Sequence, residues 1–298
     1  MNIRSLELRA RSVVEGFLHG LHRSPYHGFS VEFTEYRPYT AGDDPRYLDW
    51  RVLARSDRYF LKKFEDETNL RCHLLVDQSR SMDYGTRGYP KARYAATLAA
   101  TLAYFLHLQG DAIGLLTFDE KVREYLPARH RPGHLRQLMI ALEKPTAGRG
   151  TDLVSPLERI TALVRKRGLV ILVSDFLAPL DRLERELQTL TACGHEVTVF
   201  QVLDPAELNL GLDQAALYED VESGSTLYLD PAAARGTYVK KFDAHCDGLR
   251  ATCRKLGVSH HLLSADQPLE IGLFEFLQER MKRGRHFRPS ARNSGGAR

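Results

Sequence analysis

The residues whose types could do chemistry fall in three short segments. Asp77-Gln-Ser-Arg-Ser81 puts one carboxylate and two hydroxyls within five positions, directly after the apolar run Cys72–Val76. Gly148-Arg-Gly-Thr-Asp152 presents Thr151 just before a predicted helix, and Val173-Ser-Asp175 ends another apolar run on an acid. Asp77, Ser79, Ser81, Thr151 and Asp175 would together offer two carboxylates and three hydroxyls, all oxygen donors, with no His or Cys. That set suits a hard divalent cation, Mg²⁺ first, with Mn²⁺ or Ca²⁺ able to take its place, and it disfavours zinc. One coordination position would stay open to water or to a carboxylate from another molecule. Taken singly, the same residues are ordinary turn and helix-capping types, and Thr146 competes with Thr151 for its place.

These side chains need a scaffold to meet. Apolar residues at helical spacing over Ile3–Leu21 predict an amphipathic helix, and the alternation of Phe29, Val31 and Phe33 predicts a half-buried strand, with a second strand over Arg58–Phe64. From Leu70 onward strands and helices alternate. Strands are expected at Cys72–Val76, Ala112–Phe118, Leu169–Val173, Val197–Leu203 and Val258–Leu263, with a short antiparallel one at Val122–Leu126. Helices are expected at Lys91–Leu108, His134–Leu142, Leu153–Lys166, Leu180–Thr191, Ala232–Leu256 and Leu269–Met281. A hairpin of Leu217–Glu222 and Thr226–Leu229 turns at Ser223-Gly224. The fold class is therefore α/β: a Rossmann-like, doubly wound, mostly parallel sheet, preceded by a small N-terminal helix and β-rich segment. With the strand order 3-2-1-4-5-6, strands one and four are neighbours at the switch point, which brings Asp77 beside Asp175.

In order and position, Asp77/Ser79/Ser81, Thr151 and Asp175 resemble the metal-ion-dependent adhesion site of von Willebrand factor A domains. The flanks Gly28-Phe-Ser-Val-Glu-Phe-Thr-Glu-Tyr-Arg-Pro-Tyr39, Gly42-Asp-Asp-Pro-Arg46, Asp49-Trp-Arg-Val-Leu-Ala-Arg55 and Asp204-Pro-Ala-Glu207 resemble a bacterial domain-of-unknown-function family, number fifty-eight. The resemblance runs from about Gly28 to Arg280 and implies a von Willebrand A-like domain at residues 68–281, after a segment at 1–67 and before a basic tail at 282–298. It further implies a protein-interaction module whose Mg²⁺ accepts a partner's Glu or Asp. The implied partner is a MoxR-type AAA+ ATPase, with the chain acting as adaptor toward an unidentified client. Many relatives carry transmembrane helices ahead of this region; this sequence has none there and resembles the short soluble form.

Composition sets the remaining bounds. Hydrophobic residues are 43% and charged residues 27% of 298, which is globular usage and excludes a disordered or collagenous chain. The net charge of +4 is concentrated in the tail: Lys282, Arg283, Arg285, Arg288, Arg292 and Arg298 are six of the 42 basic residues, leaving 36 against 38 acidic ones. The basic balance therefore indicates a basic tail and does not indicate a nucleic-acid-binding fold, and specific nucleic-acid partners are not expected. Four scattered cysteines without a C-x-x-C pair, and no signal peptide, point to the cytoplasm.

Arg37, Asp43, Asp44, Arg46, Asp49, Trp50 and Arg55 form an alternating-charge cluster, read as an ion-pair lattice over Trp50 or as the docking surface for the ATPase. His130 and His134 are four apart, but Pro132-Gly133 keeps them off a shared helix face. No G-x-x-x-x-G-K-[ST] loop and no G-x-S-x-G elbow is present, so neither ATP hydrolysis nor a serine hydrolase is expected. The alternative from another class is a Mg²⁺-dependent phosphoesterase using Asp77 and Asp175.

Overall fold

The run Leu169-Val-Ile-Leu-Val-Ser174 is buried at every position, as a strand covered on both faces must be. A computed structural model describes residues 5–22, 36–38, 60–62, 70–86, 88–145, 154–164, 166–211, 214–219 and 225–284. Helix α1 (Leu6–His22) is followed by short strands β1 (Tyr36–Pro38) and β2 (Phe60–Lys62), which pair antiparallel. Then come β3 (Arg71–Asp77), α2 (Lys91–Leu108), β4 (Ala112–Phe118), β5 (Val122–Arg129), α3 (His134–Leu142), α4 (Val154–Leu163) and β6 (Leu169–Ser174). The chain continues through α5 (Leu180–Ala192), β7 (Glu196–Leu203), the short α6 (Pro205–Asn209), the hairpin β8 (Ala216–Glu219) and β9 (Thr226–Leu229), α7 (Pro231–Leu256), β10 (Ser259–Ser264) and α8 (Leu269–Gly284).

The main sheet has six strands in the order β10-β7-β6-β3-β4-β5, parallel except for β5, which runs antiparallel to β4. Counted along the chain from β3, this is the expected 3-2-1-4-5-6 arrangement, with β3 and β6 adjacent at the centre. Side-chain alternation sends Leu74, Val76, Ile171 and Val173 to one face, against α1, α2, α3 and α8. The opposite face carries Leu75, Val170, Leu172 and Val199, against α4, α5 and α7. Each such fully buried aliphatic side chain contributes roughly 1.5–3 kcal/mol, so the two layers stabilise the centre of the sheet. Leu6, Ala10, Val14 and Phe17 of α1, one stripe at helical spacing, lie in the same core as Val76 and Leu98.

Differences from the sequence reading have local causes. Strand β5 runs through Pro127 to Arg129 because it is an edge strand, where a missing N–H costs no ladder bond. Helix α4 stops at Leu163, and α8 runs on to Gly284, into the segment read as tail. The five-residue helix α6 has too few residues to show a period, though Asp204 caps it in a capping box with Glu207. The strand expected at Phe29–Phe33, most of the Arg58–Phe64 strand and the tail from 285 onward lie outside the described residues. No described helix is long and apolar enough to cross a membrane.

Candidate metal centre

Strand β3 delivers Asp77 to the carboxyl edge of the sheet, and β6, in parallel register with it through Val76 and Val173, delivers Ser174 and Asp175 alongside. Asp77 is wholly buried, and both of its oxygens are engaged. Oδ1 accepts the Ser79 N–H at 2.8 Å, closing a tight turn, and Oδ2 accepts the Ser174 hydroxyl at 2.6 Å. The turn aims the Ser79 and Ser81 hydroxyls at each other, Oγ to Oγ 3.0 Å. A one-turn 3₁₀ helix at Ser81–Asp83 buries Met82 beneath the loop, and the Gln78 N–H donates to the Phe118 carbonyl at 2.7 Å. The loop is thus pinned from both sides.

Asp175 is 1% exposed. Its Oδ1 accepts the Leu177 N–H at 3.2 Å, and its Oδ2 accepts from the Lys91 ammonium at 2.8 Å. The next residue, Phe176, has φ +56°, a strained conformation for a bulky side chain. It persists because the ring is fully buried, its N–H donates to Ser174 Oγ at 3.1 Å and its carbonyl accepts from His245 Nε2 at 2.8 Å. This kink turns the chain abruptly at the end of β6 and fixes Asp175 at the rim.

Lys91, at the first turn of α2, is completely buried and also donates to Glu207 Oε1 at 2.5 Å. Glu207 Oε2 accepts the Asp204 N–H at 2.8 Å, and the Asp204 carboxylate accepts from the Thr86 N–H at 3.0 Å and the Thr86 hydroxyl at 2.7 Å. The two acids thereby tie α6 to the loop that follows Ser81.

The electrostatics follow from burial. Desolvation, and then the proximity of Asp175, push the Asp77 carboxyl up to about 7, against the downward pull of the Ser174 and Ser79 donors. Burial alone would lower the Lys91 ammonium, but Asp175 and Glu207 more than offset it and hold it above its ordinary value. Glu207 is raised by burial, less the influence of Lys91. Asp204, though partly desolvated, is held below the usual carboxylate range by its Thr86 and Ala206 donors.

The structure brings Asp77, Ser79, Ser81 and Asp175 together, whereas Thr151 lies outside the described residues. Among the described residues no group of three or more His, Cys, Asp and Glu side chains forms a metal cage. The donors here are instead hydroxyls beside two acids, and that chemistry fits a hard divalent ion. Two acids crowded in a dry site, one of them forced toward neutrality, are what a cation would relieve. An ion there would be held by the serine hydroxyls and the carboxylates and would supply a Lewis-acidic anchor for an incoming anion. Of the alternating-charge cluster, Arg37 falls in β1 opposite Leu61, with Asp43, Asp44, Arg46, Asp49, Trp50 and Arg55 outside the described residues. His134 is a core residue, its Nε2 2.7 Å from the Ile113 carbonyl oxygen.

Sequence reasoning missed Lys91, Ser174 and the role of Glu207. A signal for Lys91 existed: a lysine at a helix N-terminus is on the wrong side of the macrodipole and asks for a compensating acid.

A family model described as "Protein of unknown function DUF58" matches residues 35–247. The chain belongs to the DUF58 family. An uncharacterized protein of Mycobacterium tuberculosis, Rv1480, is 30% identical over 286 residues, covering 94% of this chain and 89% of its own length. An uncharacterized Mycobacterium bovis protein matches with the same figures. Among solved structures, the conserved hypothetical protein BatB from Bacteroides thetaiotaomicron aligns with a TM-score of 0.49 and 13% identity, over 72% of this DUF58 chain and 99% of that one. The pilus adhesin SpaC from Lactobacillus rhamnosus GG gives 0.47 and 13%, over 72% and 30%.

Proposed function

We propose that this DUF58 protein is a metal-dependent interaction adaptor of the cytoplasm. In this reading a divalent ion, Mg²⁺ by preference, is held by Asp77, Ser79, Ser81 and Asp175, together with Thr151, and accepts a partner's carboxylate as its last ligand. The partner is a MoxR-type AAA+ ATPase, and the outcome is assembly or maturation of a client complex. The observation that carries the reading is the convergence of Asp77 and Asp175, 98 positions apart, at the switch point between β3 and β6, where open α/β sheets bind ligands. A charge-assisted bond to a metal is directional and adds specificity to a modest contact surface. The phosphoesterase alternative uses the same Asp77 and Asp175, so the two readings are separated by whether phosphoesters turn over in Mg²⁺.

Surface plasmon resonance with a purified MoxR-type ATPase tests the reading. Binding in Mg²⁺, lost in EDTA and in folded Asp77→Ala, is the expected result. Binding indifferent to both overturns it, and turnover of p-nitrophenyl phosphate in Mg²⁺ that disappears in Asp77→Ala would replace it with the enzyme.

A further inference from the structure

Lys91 is expensive where it stands. A lysine is rarely fully buried, and an ammonium in the first turn of a helix opposes the helix dipole. Its partners, Asp175 at 2.8 Å and Glu207 at 2.5 Å, compensate the charge. A buried ion triad of this kind generally adds little net stability over apolar packing, so stability alone does not account for it. What distinguishes this ammonium is the identity of its partner: Asp175 is one of the two acids at the candidate metal centre, and Lys91 holds the oxygen that Leu177 leaves unused. Through Glu207 the same ammonium reaches Asp204 and Thr86, hence the loop leaving Ser81.

We propose that Lys91 is a resident cation of the metal centre, which keeps Asp175, α6 and the Ser79–Ser81 loop assembled when no divalent ion is bound and lowers the affinity for that ion by sharing Asp175 with it. The inference rests on the metal reading above and adds its regulation. Two cations sharing one carboxylate in a dry site repel each other strongly, so removing the ammonium tightens divalent binding. Removing a compensating acid does the reverse, because the full charge of Lys91 then falls on Asp175. A centre built this way loads its ion only when the total negative charge is sufficient, and an incoming partner carboxylate supplies more.

The experiment is Mn²⁺ titration of the full chain, free Mn²⁺ being read by its paramagnetic resonance signal and folding by circular dichroism. Wild type is expected to bind one Mn²⁺ that Asp77→Asn abolishes. Lys91→Gln is expected to bind Mn²⁺ about tenfold more tightly or better, and to regain with Mn²⁺ the melting temperature it loses without it. Glu207→Gln, which keeps an acceptor for Lys91 and so preserves the fold, is expected to bind about tenfold more weakly. If folded Lys91→Gln binds no more tightly while wild type binds normally, the role of Lys91 is overturned and the metal reading stands. If Lys91→Gln does not fold, Glu207→Gln decides, and an unchanged affinity there overturns the proposal. Binding that appears only in Lys91→Gln supports it. If neither wild type nor Lys91→Gln binds, or Asp77→Asn binds as wild type does, both readings fall together.

Discussion

Ser174, at the end of one central strand, donates its hydroxyl to Asp77 at the end of the next, across 2.6 Å. This bond joins β6 to β3 at the point where the sheet reverses its winding, and it sets the orientation of the acid that everything else at the rim is arranged around. Because it favours the ionised carboxylate, Ser174→Ala should raise the Asp77 titration above its already elevated value of about 7. Carbon-13 NMR of the aspartate carboxyls would show the shift, and an unmoved resonance would mean the hydroxyl contributes nothing to the ionised state.

Asp77 makes stability depend on pH in an unusual direction. Its folded value, about 7, is above the ordinary 3.8, so the native state holds its proton longer than the unfolded chain. The stability associated with that proton is complete below pH 3.8 and is lost as pH rises through 7. His73 and His260, both lowered to about 4 by burial, act oppositely and cost stability as pH falls from 6.5 toward 4. Without metal, Asp77→Asn should melt higher than wild type at pH 8, and the gap should close toward pH 4. Differential scanning calorimetry across that range measures it, and a constant gap would place the strain elsewhere.

In the proposed reading a divalent ion would be a ligand of a fold that the core already secures. With Mg²⁺ at ten times its dissociation constant, mass action stabilises the native state by about 1.4 kcal/mol. Adding EDTA should therefore lower the melting temperature by only a few degrees while abolishing the proposed capture of the ATPase. Complete unfolding on chelation would show instead that the cation is structural.

Asp204 caps α6 and simultaneously holds Thr86 by two hydrogen bonds. Loss of a cap costs about 1–2 kcal/mol, and Asp204→Ala should lose at least that in urea titrations. It should also speed amide exchange around Thr86, next to the Ser79–Ser81 loop. Unchanged exchange there would mean that α6 and the loop are not mechanically linked.

Where the sequence was most explicit, the fold follows it residue for residue. Lys91–Leu108, Ala112–Phe118 and His134–Leu142 form with the expected bounds, because long apolar patterns end in turn residues on both sides. Asp77 and Asp175 could be placed together from strand order alone, since each terminates an apolar strand. Short elements were not legible: β1 has three residues, and α6 has five. Lys91 was hidden for a different reason. Its place at a helix start hints at a compensating acid, but which acids those are, and that the ammonium is buried, follows only from the chain crossing at Asp175 and Glu207, 84 and 116 positions away.

The most direct test is crystallographic. Crystals soaked in Mn²⁺ should give an anomalous peak within coordination distance of the Ser79 and Ser81 hydroxyl oxygens, between Asp77 and Asp175, and none in Asp77→Ala. A well-ordered site with no peak at saturating Mn²⁺, or a peak only at some other acidic cluster, would contradict the account.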